Sequence, residues 1–177
     1  MIDVRAKEKL RKLYKPCRVK LLFVGESVPA SGKFFYQGDS NLFIHTKEAF
    51  RKARLYVPTQ EEDFLSVFSR LGCYLVDLCD VPVNGKEISD RERREARCIG
   101  VPRLAGEIET LDPAAVLVTP LMICNEVKKA LALAGRESVP FHSFPFPARC
   151  EQNKIDYEKQ LSAILCEFVR QGLIGPL

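Results

Sequence analysis

Three short, nearly unbroken apolar runs constrain this chain more than any other feature: residues 19–24 (VKLLFV), 73–78 (CYLVDL) and 114–119 (AAVLVT). Runs of that length and character suit strands buried on both faces, as in a parallel sheet covered by helices on each side. The segments between them have helical patterns, and strands alternating with helices imply right-handed βαβ units. Residues 139–147 read as a fourth extended segment, its second half an alternation of Phe and Pro. The expected fold is therefore a three-layer α/β/α sandwich with a central four-stranded parallel sheet.

The helical segments carry their own start and stop signals. Residues 3–15 read as a basic amphipathic helix ended by Pro16, with Lys7, Lys9, Arg11, Lys12 and Lys15 as a solvated face. Residues 41–55 form the next helical pattern. Thr59 to Glu62 has capping-box spacing and opens a helix through Phe64, Leu65, Val67 and Phe68, closed by Gly72. Ser89 and Glu92 repeat that spacing before a helix reaching Leu111, whose start, DRERREAR, reads as a solvent face rich in local ion pairs. Residues 125–134 and 153–171 complete the set. One domain is expected over 1–177, with an N-terminal helical segment at 1–17, a core at 18–149 and a C-terminal helix at 150–177.

Composition narrows the function classes. A chain of 177 residues, 46% hydrophobic, has room for a full core, and a net charge of +4 is mild but compatible with an anionic partner. Seven cysteines, an odd number without a CxxC pair, together with no signal peptide pattern, point to a cytoplasmic chain with buried, reduced thiols and neither a metal nor a disulfide. No apolar run approaches the ~20 residues of a membrane span, so no membrane partner is expected. A P-loop, a GxGxxG fingerprint and a nucleophile elbow are all missing, and no cofactor is expected.

The chemistry gathers at the ends of the strands. The first run empties into Gly25-Glu26-Ser27, then a loop with Pro29, Ser31 and Gly32, then Phe34, Phe35 and Tyr36. Open α/β sheets place ligands outside the carboxyl ends of their strands. Gly25 allows close approach of a ligand to the backbone, and the aromatics serve either to stack on a flat ligand or to fill the core. The second run leads into Asp77, Asp80, Pro82 and Asn84, so polar groups collect at a strand end again.

Taken in order, these strand ends resemble the uracil-DNA glycosylase superfamily. Gly25-Glu26-Ser27-Val28-Pro29 is similar to the GEAPG motif of its bacterial and archaeal thermostable branch, and residues 32–38 (GKFFYQG) resemble the GRPFVG that follows. Tyr74-Leu75-Val76-Asp77, with Pro82 and Asn84 downstream, resembles YITN and its trailing proline and asparagine. Phe144-Pro145-Phe146-Pro147 is close to HPSP. The resemblance spans roughly residues 18–149. It implies the fold above and a protein that flips a base out of DNA, stacks it on an aromatic ring, reads its edge and hydrolyses the N-glycosidic bond.

Carried over residue by residue, the resemblance makes Phe35 the stacking ring and Glu26 the group that places water, with general-base action open to it if its pKa suits. Gly25, Ser27, Asp77, Asn84, Phe144, Pro145 and Phe146 would line the base pocket. Glu26 reads equally as a strand-end carboxylate held by backbone N–H groups, and Phe35 equally as core. Lys33, Arg149 and Lys154 are candidates for phosphate contacts or ordinary surface charge.

The departures from the pattern shape the expected function. Phe144 stands where the family has histidine, and His142 lies two residues earlier, on the same side of a strand by period-two alternation. His142 is therefore the candidate catalytic imidazole. Asp77 replaces the amide that reads uracil, and an ionised carboxylate presents only acceptors. The branch's four iron–sulfur cysteines have no counterpart here. The expected function is a DNA-repair-like protein that binds or excises a damaged base other than uracil. The alternatives are an enzyme acting on a free nucleoside or nucleotide in the same crevice, and a catalytically silent interaction protein.

Overall fold

The computed structural model describes residues 4–56, 63–148 and 150–175. The capping-box residues Thr59 to Glu62 and the phosphate candidate Arg149 lie outside the described residues. Among the described residues four strands form one parallel sheet: β1 (Leu21–Ser27), β2 (Cys73–Cys79), β3 (Ala115–Val118) and β4 (Phe141–Ser143). Their spatial order is β2-β1-β3-β4.

Six helices among the described residues surround the sheet: α1 (Val4–Leu13), α2 (Asn41–Lys52), α3 (Phe64–Arg70), α4 (Asp90–Leu111), α5 (Cys124–Leu133) and α6 (Glu151–Arg170). Side-chain alternation along β1 separates the two outer layers. Phe23 packs against Phe50 of α2 and Phe68 of α3. Glu26, an odd number of residues along, meets α4 on the opposite face. α5 packs beside α4, and α6 packs beside α2. The expected three-layer α/β/α sandwich is the observed one.

Several boundaries follow from local chemistry. β1 continues three residues beyond its apolar run, through Gly25 and Glu26 to Ser27, because its ladder with β2 pairs Gly25 with Asp77 and Ser27 with Cys79. Glu26, read from the sequence as a strand-end carboxylate, therefore sits within the strand itself. β4 is only three residues long, because Pro140, Pro145 and Pro147 supply no N–H to a ladder. α3 starts from Asp63, whose side chain accepts from the Ser66 N–H. α4 opens on the complete Ser89–Glu92 capping box.

Two contacts position the edge strand β2. α4 crosses it so closely that a Cβ at Gly100 would lie 1.9 Å from the Leu78 carbonyl oxygen, which leaves room only for glycine. At the strand's open edge the buried Tyr36 hydroxyl accepts from the Leu75 N–H at 2.7 Å and donates to the Leu75 carbonyl at 3.1 Å. A side chain thus completes backbone pairing that an edge strand would otherwise leave open. It also pins the loop after β1 against β2.

The cysteines differ from expectation. Cys73 and Cys79 are buried, but Cys17, Cys98, Cys150 and Cys166 are exposed. The two buried ones lie at the ends of β2, and the exposed ones lie outside the strands. Among the described residues no helix is long and apolar enough to cross a membrane.

Candidate functional site

The connection from β2 to β3 passes over β1, so the chain's winding direction reverses between β1 and β3. At such a switch point the flanking connections leave to opposite faces and open a crevice at the strands' carboxyl ends. A cavity of about 520 Å³ occupies that place, within the ~300–1,000 Å³ usual for small-molecule sites. Gly25, Glu26 and Ser27 come to it from β1, and Lys33 and Phe35 from the following loop. Asp77 and Asn84 come from β2 and its loop, and Pro145 and Phe146 from the segment after β4. Three sequence stretches separated by dozens of residues thus meet on one cavity.

Glu26 is anchored on two arginines of α4. Arg93 Nε donates to Glu26 Oε1 at 2.8 Å, and Arg93 Nη2 pairs with Oε2. Arg97 Nε donates to Oε1 at 2.7 Å, and its Nη2 lies 2.5 Å from the same oxygen. Burial alone would raise the Glu26 carboxyl, but the two guanidiniums overcome it and hold the group below its ordinary range. A carboxylate so held is a poor proton acceptor near neutrality. The backbone N–H groups considered as its partners are replaced by arginine side chains.

Arg93 and Arg97 correct the reading of DRERREAR as wholly solvent-facing. Arg91 and Glu95 do form an exposed pair at i,i+4. Positions 93, 97, 100, 101, 104 and 108, however, make one stripe at helical spacing, and Arg97, Gly100, Val101, Leu104 and Ile108 are all buried. The signal was the period of the apolar face continued toward the amino terminus.

Asp77 sits across from Glu26 on the other face of the sheet. Its Oδ2 accepts from Arg11 Nη2 at 2.9 Å, and Arg11 also lies over the Phe34 ring at 5.9 Å. Arg11, expected on a solvated face, is thus drawn inward by a buried carboxylate. Burial outweighs the Arg11 charge and lifts the Asp77 carboxyl above its usual range. Asp77 Oδ1 leans over Gly25, where an added Cβ would meet it at 2.6 Å. Gly25 is therefore what lets Asp77 occupy the floor of the cavity.

The remaining candidates divide clearly. Phe35 is 3% exposed, lines the cavity, and packs edge-on to Tyr36 and Phe43 and tilted against Phe68. It is thus a wall of the cavity and a member of the core together. Asn84 Oδ1 accepts from the Ala30 N–H at 2.8 Å, and Ser27 Oγ accepts from the Val83 N–H at 3.2 Å. These two bonds tie the loop after β2 to the end of β1 and to the loop that follows it. Lys33 is exposed at the cavity wall.

His142 and Phe144 do not reach the cavity. Alternation does place them on one side of the chain, but that side faces α6. His142 packs edge-on to Phe168 at 5.6 Å, and Phe144 packs against Tyr157 at 5.9 Å. His142, expected as a displaced catalytic imidazole, is therefore not in the cavity lining. Lys154 pairs with Glu151 at 2.8 Å and is not part of the cavity wall. Among the described residues no group of three or more His, Cys, Asp or Glu side chains is arranged to hold a metal ion.

The arrangement can enclose a flat apolar ligand, meet donors with Asp77 and meet negative charge with Arg93, while its acidic groups are both ion-paired. Comparison with protein-family models and with curated proteins gives no match.

Proposed function

We propose that this chain is a DNA-repair-like, base-binding protein that resembles the uracil-DNA glycosylase superfamily and takes an unstacked base into the cavity at the carboxyl ends of β1 and β2. The observation that carries this reading is the convergence of Gly25, Phe35, Asp77, Asn84, Pro145 and Phe146 on one cavity. Phe35 and Phe146 supply aromatic surface for a planar ring. The Asp77 carboxylate supplies acceptors on the cavity floor and suits an edge with two adjacent donors, as guanine-like bases have at N1–H and N2–H. Uracil offers a donor beside an acceptor and leaves one polar group mismatched, a loss of about 1–3 kcal/mol in a dry site.

Binding is favoured over excision by the state of the two catalytic candidates. Glu26 is held by Arg93 and Arg97, and His142 lies against Phe168. Neither is free to place water or to assist departure of a base anion. The test is incubation with oligonucleotides carrying uracil, hypoxanthine, xanthine and oxidised guanine, with retention and abasic sites measured in parallel. Retention of an oxidised-guanine strand without abasic sites is expected. Efficient uracil release at neutral pH contradicts the proposal, as does failure to retain any of the strands.

A further inference from the structure

The anchoring of Glu26 leaves a feature that base recognition does not use. Two guanidiniums face a single carboxylate, so the Glu26–Arg93–Arg97 cluster keeps one positive charge beyond neutrality. Arg97 is buried, and its remaining contact, from Nη2, is to Met122 Sδ. Arg93 lines the cavity, with its side chain 19% exposed. Its Nε and Nη2 are directed to Glu26, with Nη2 also near Met122 Sδ, and Nη1 has no partner among the described residues. Lys33 adds a second positive charge to the cavity lining. On the cavity floor, Asp77 is offset by Arg11. Asp90, an acid of α4 whose charge acts on Arg93, is exposed at the start of the helix. Glu26, Asp77, Lys33 and Arg93 of the lining balance one another, and Arg97 and Arg11, paired behind the two acids, leave the surroundings of the cavity net positive, with Arg93 held by a carboxylate that reaches it along β1.

We infer that Arg93, fixed by Glu26 and supported by Lys33, is an anion subsite that binds a phosphate group attached to the nucleoside whose base occupies the cavity. This rests on the base-binding reading for the nucleoside part but not for the phosphate part. Arginine presents planar donors suited to phosphate oxygens, and an Arg already held in one rotamer loses little freedom on binding. The phosphate has two sources with the same chemistry: a free nucleoside monophosphate, or the diester backbone of a strand. The Glu26 carboxylate then has a structural task, which is to position Arg93.

The experiment is calorimetric titration of the full chain with deoxyguanosine, its 5′- and 3′-monophosphates, a short single-stranded oligonucleotide containing one guanine, and inorganic phosphate. At least one phosphorylated ligand should bind about 10- to 100-fold more tightly than the nucleoside, the range of a charged hydrogen bond. That gain should shrink with added salt and vanish in Arg93→Met. Arg93→Lys keeps the charge and should retain part of the gain, which serves as the test if Arg93→Met does not fold. A gain for a monophosphate identifies a free nucleotide as the source, and a gain for the oligonucleotide alone identifies a strand. Equal affinity for deoxyguanosine and every phosphorylated ligand overturns the subsite while sparing base binding. Binding of inorganic phosphate that depends on Arg93, with no binding of deoxyguanosine, sustains the subsite and overturns the base-binding reading. No binding by any ligand overturns both.

Discussion

Replacing Glu26 with Gln removes one negative charge from a buried cluster that contains two positive ones, and it separates an anchoring carboxylate from a working one. Glu26 is 8% exposed and receives donors from Arg93 and Arg97. Breaking a buried pair by neutralising one partner costs about 3–5 kcal/mol, because the remaining charge is left uncompensated. Gln keeps an acceptor oxygen, so the lower end applies, about 3 kcal/mol. For a chain of this size that is a fall in Tm of roughly 6–12 °C. Urea unfolding followed by circular dichroism measures it directly. The pH dependence gives a second reading. The arginines lower the folded-state pKa of Glu26, so its contribution is full above the ordinary glutamate range and is lost as pH falls through the folded value. Glu26→Gln should remove that part of the acid-side decline. Catalytic carboxylates held in strained sites behave oppositely, and their removal often leaves stability unchanged or raised. A Gln variant as stable as the parent protein at pH 7 would refute the anchoring role.

Phe35→Ala should destabilise the protein by about 3–5 kcal/mol in the same assay, since the ring is packed among Tyr36, Phe43 and Phe68 as well as facing the cavity; a change below ~1 kcal/mol would make it a wall residue alone. His142→Ala should leave base binding unchanged by calorimetry, because the imidazole packs on Phe168 and not in the cavity. Cys17, Cys98, Cys150 and Cys166 should react promptly with an aromatic disulfide reagent. Cys73 and Cys79 should react only on unfolding, as burial pushes the Cys79 thiol up to about 11 and the Cys73 thiol higher still.

The architecture was legible because the apolar runs at 19–24, 73–78 and 114–119 have only one sensible environment, a sheet covered on both faces. The crevice was legible for the same reason, since parallel strands bring their carboxyl ends to one edge. What the sequence concealed is the state of the acids found there. Nothing near Glu26 in the chain announces Arg93 or Arg97, which lie 67 and 71 residues away and meet it only because α4 crosses the sheet. Arg11 is hidden in a basic helix whose other charges look alike, and only the buried Asp77 selects it. His142 and Phe144 show the limit of alternation as a guide. It places two residues on the same side of a strand, but which layer that side faces depends on where α6 packs.

The central claim is that Asp77, on the floor of the cavity, selects a base by its hydrogen-bonding edge. Equilibrium binding of duplexes carrying a single oxidised guanine or a single uracil, by the parent protein and by Asp77→Asn at one salt concentration, tests it most directly. The account predicts that the parent protein prefers the oxidised guanine, whose N1–H and N2–H face the carboxylate, and that Asp77→Asn shifts preference toward uracil by about 1–3 kcal/mol. A parent protein that prefers uracil, or a preference that Asp77→Asn leaves unmoved, would contradict it.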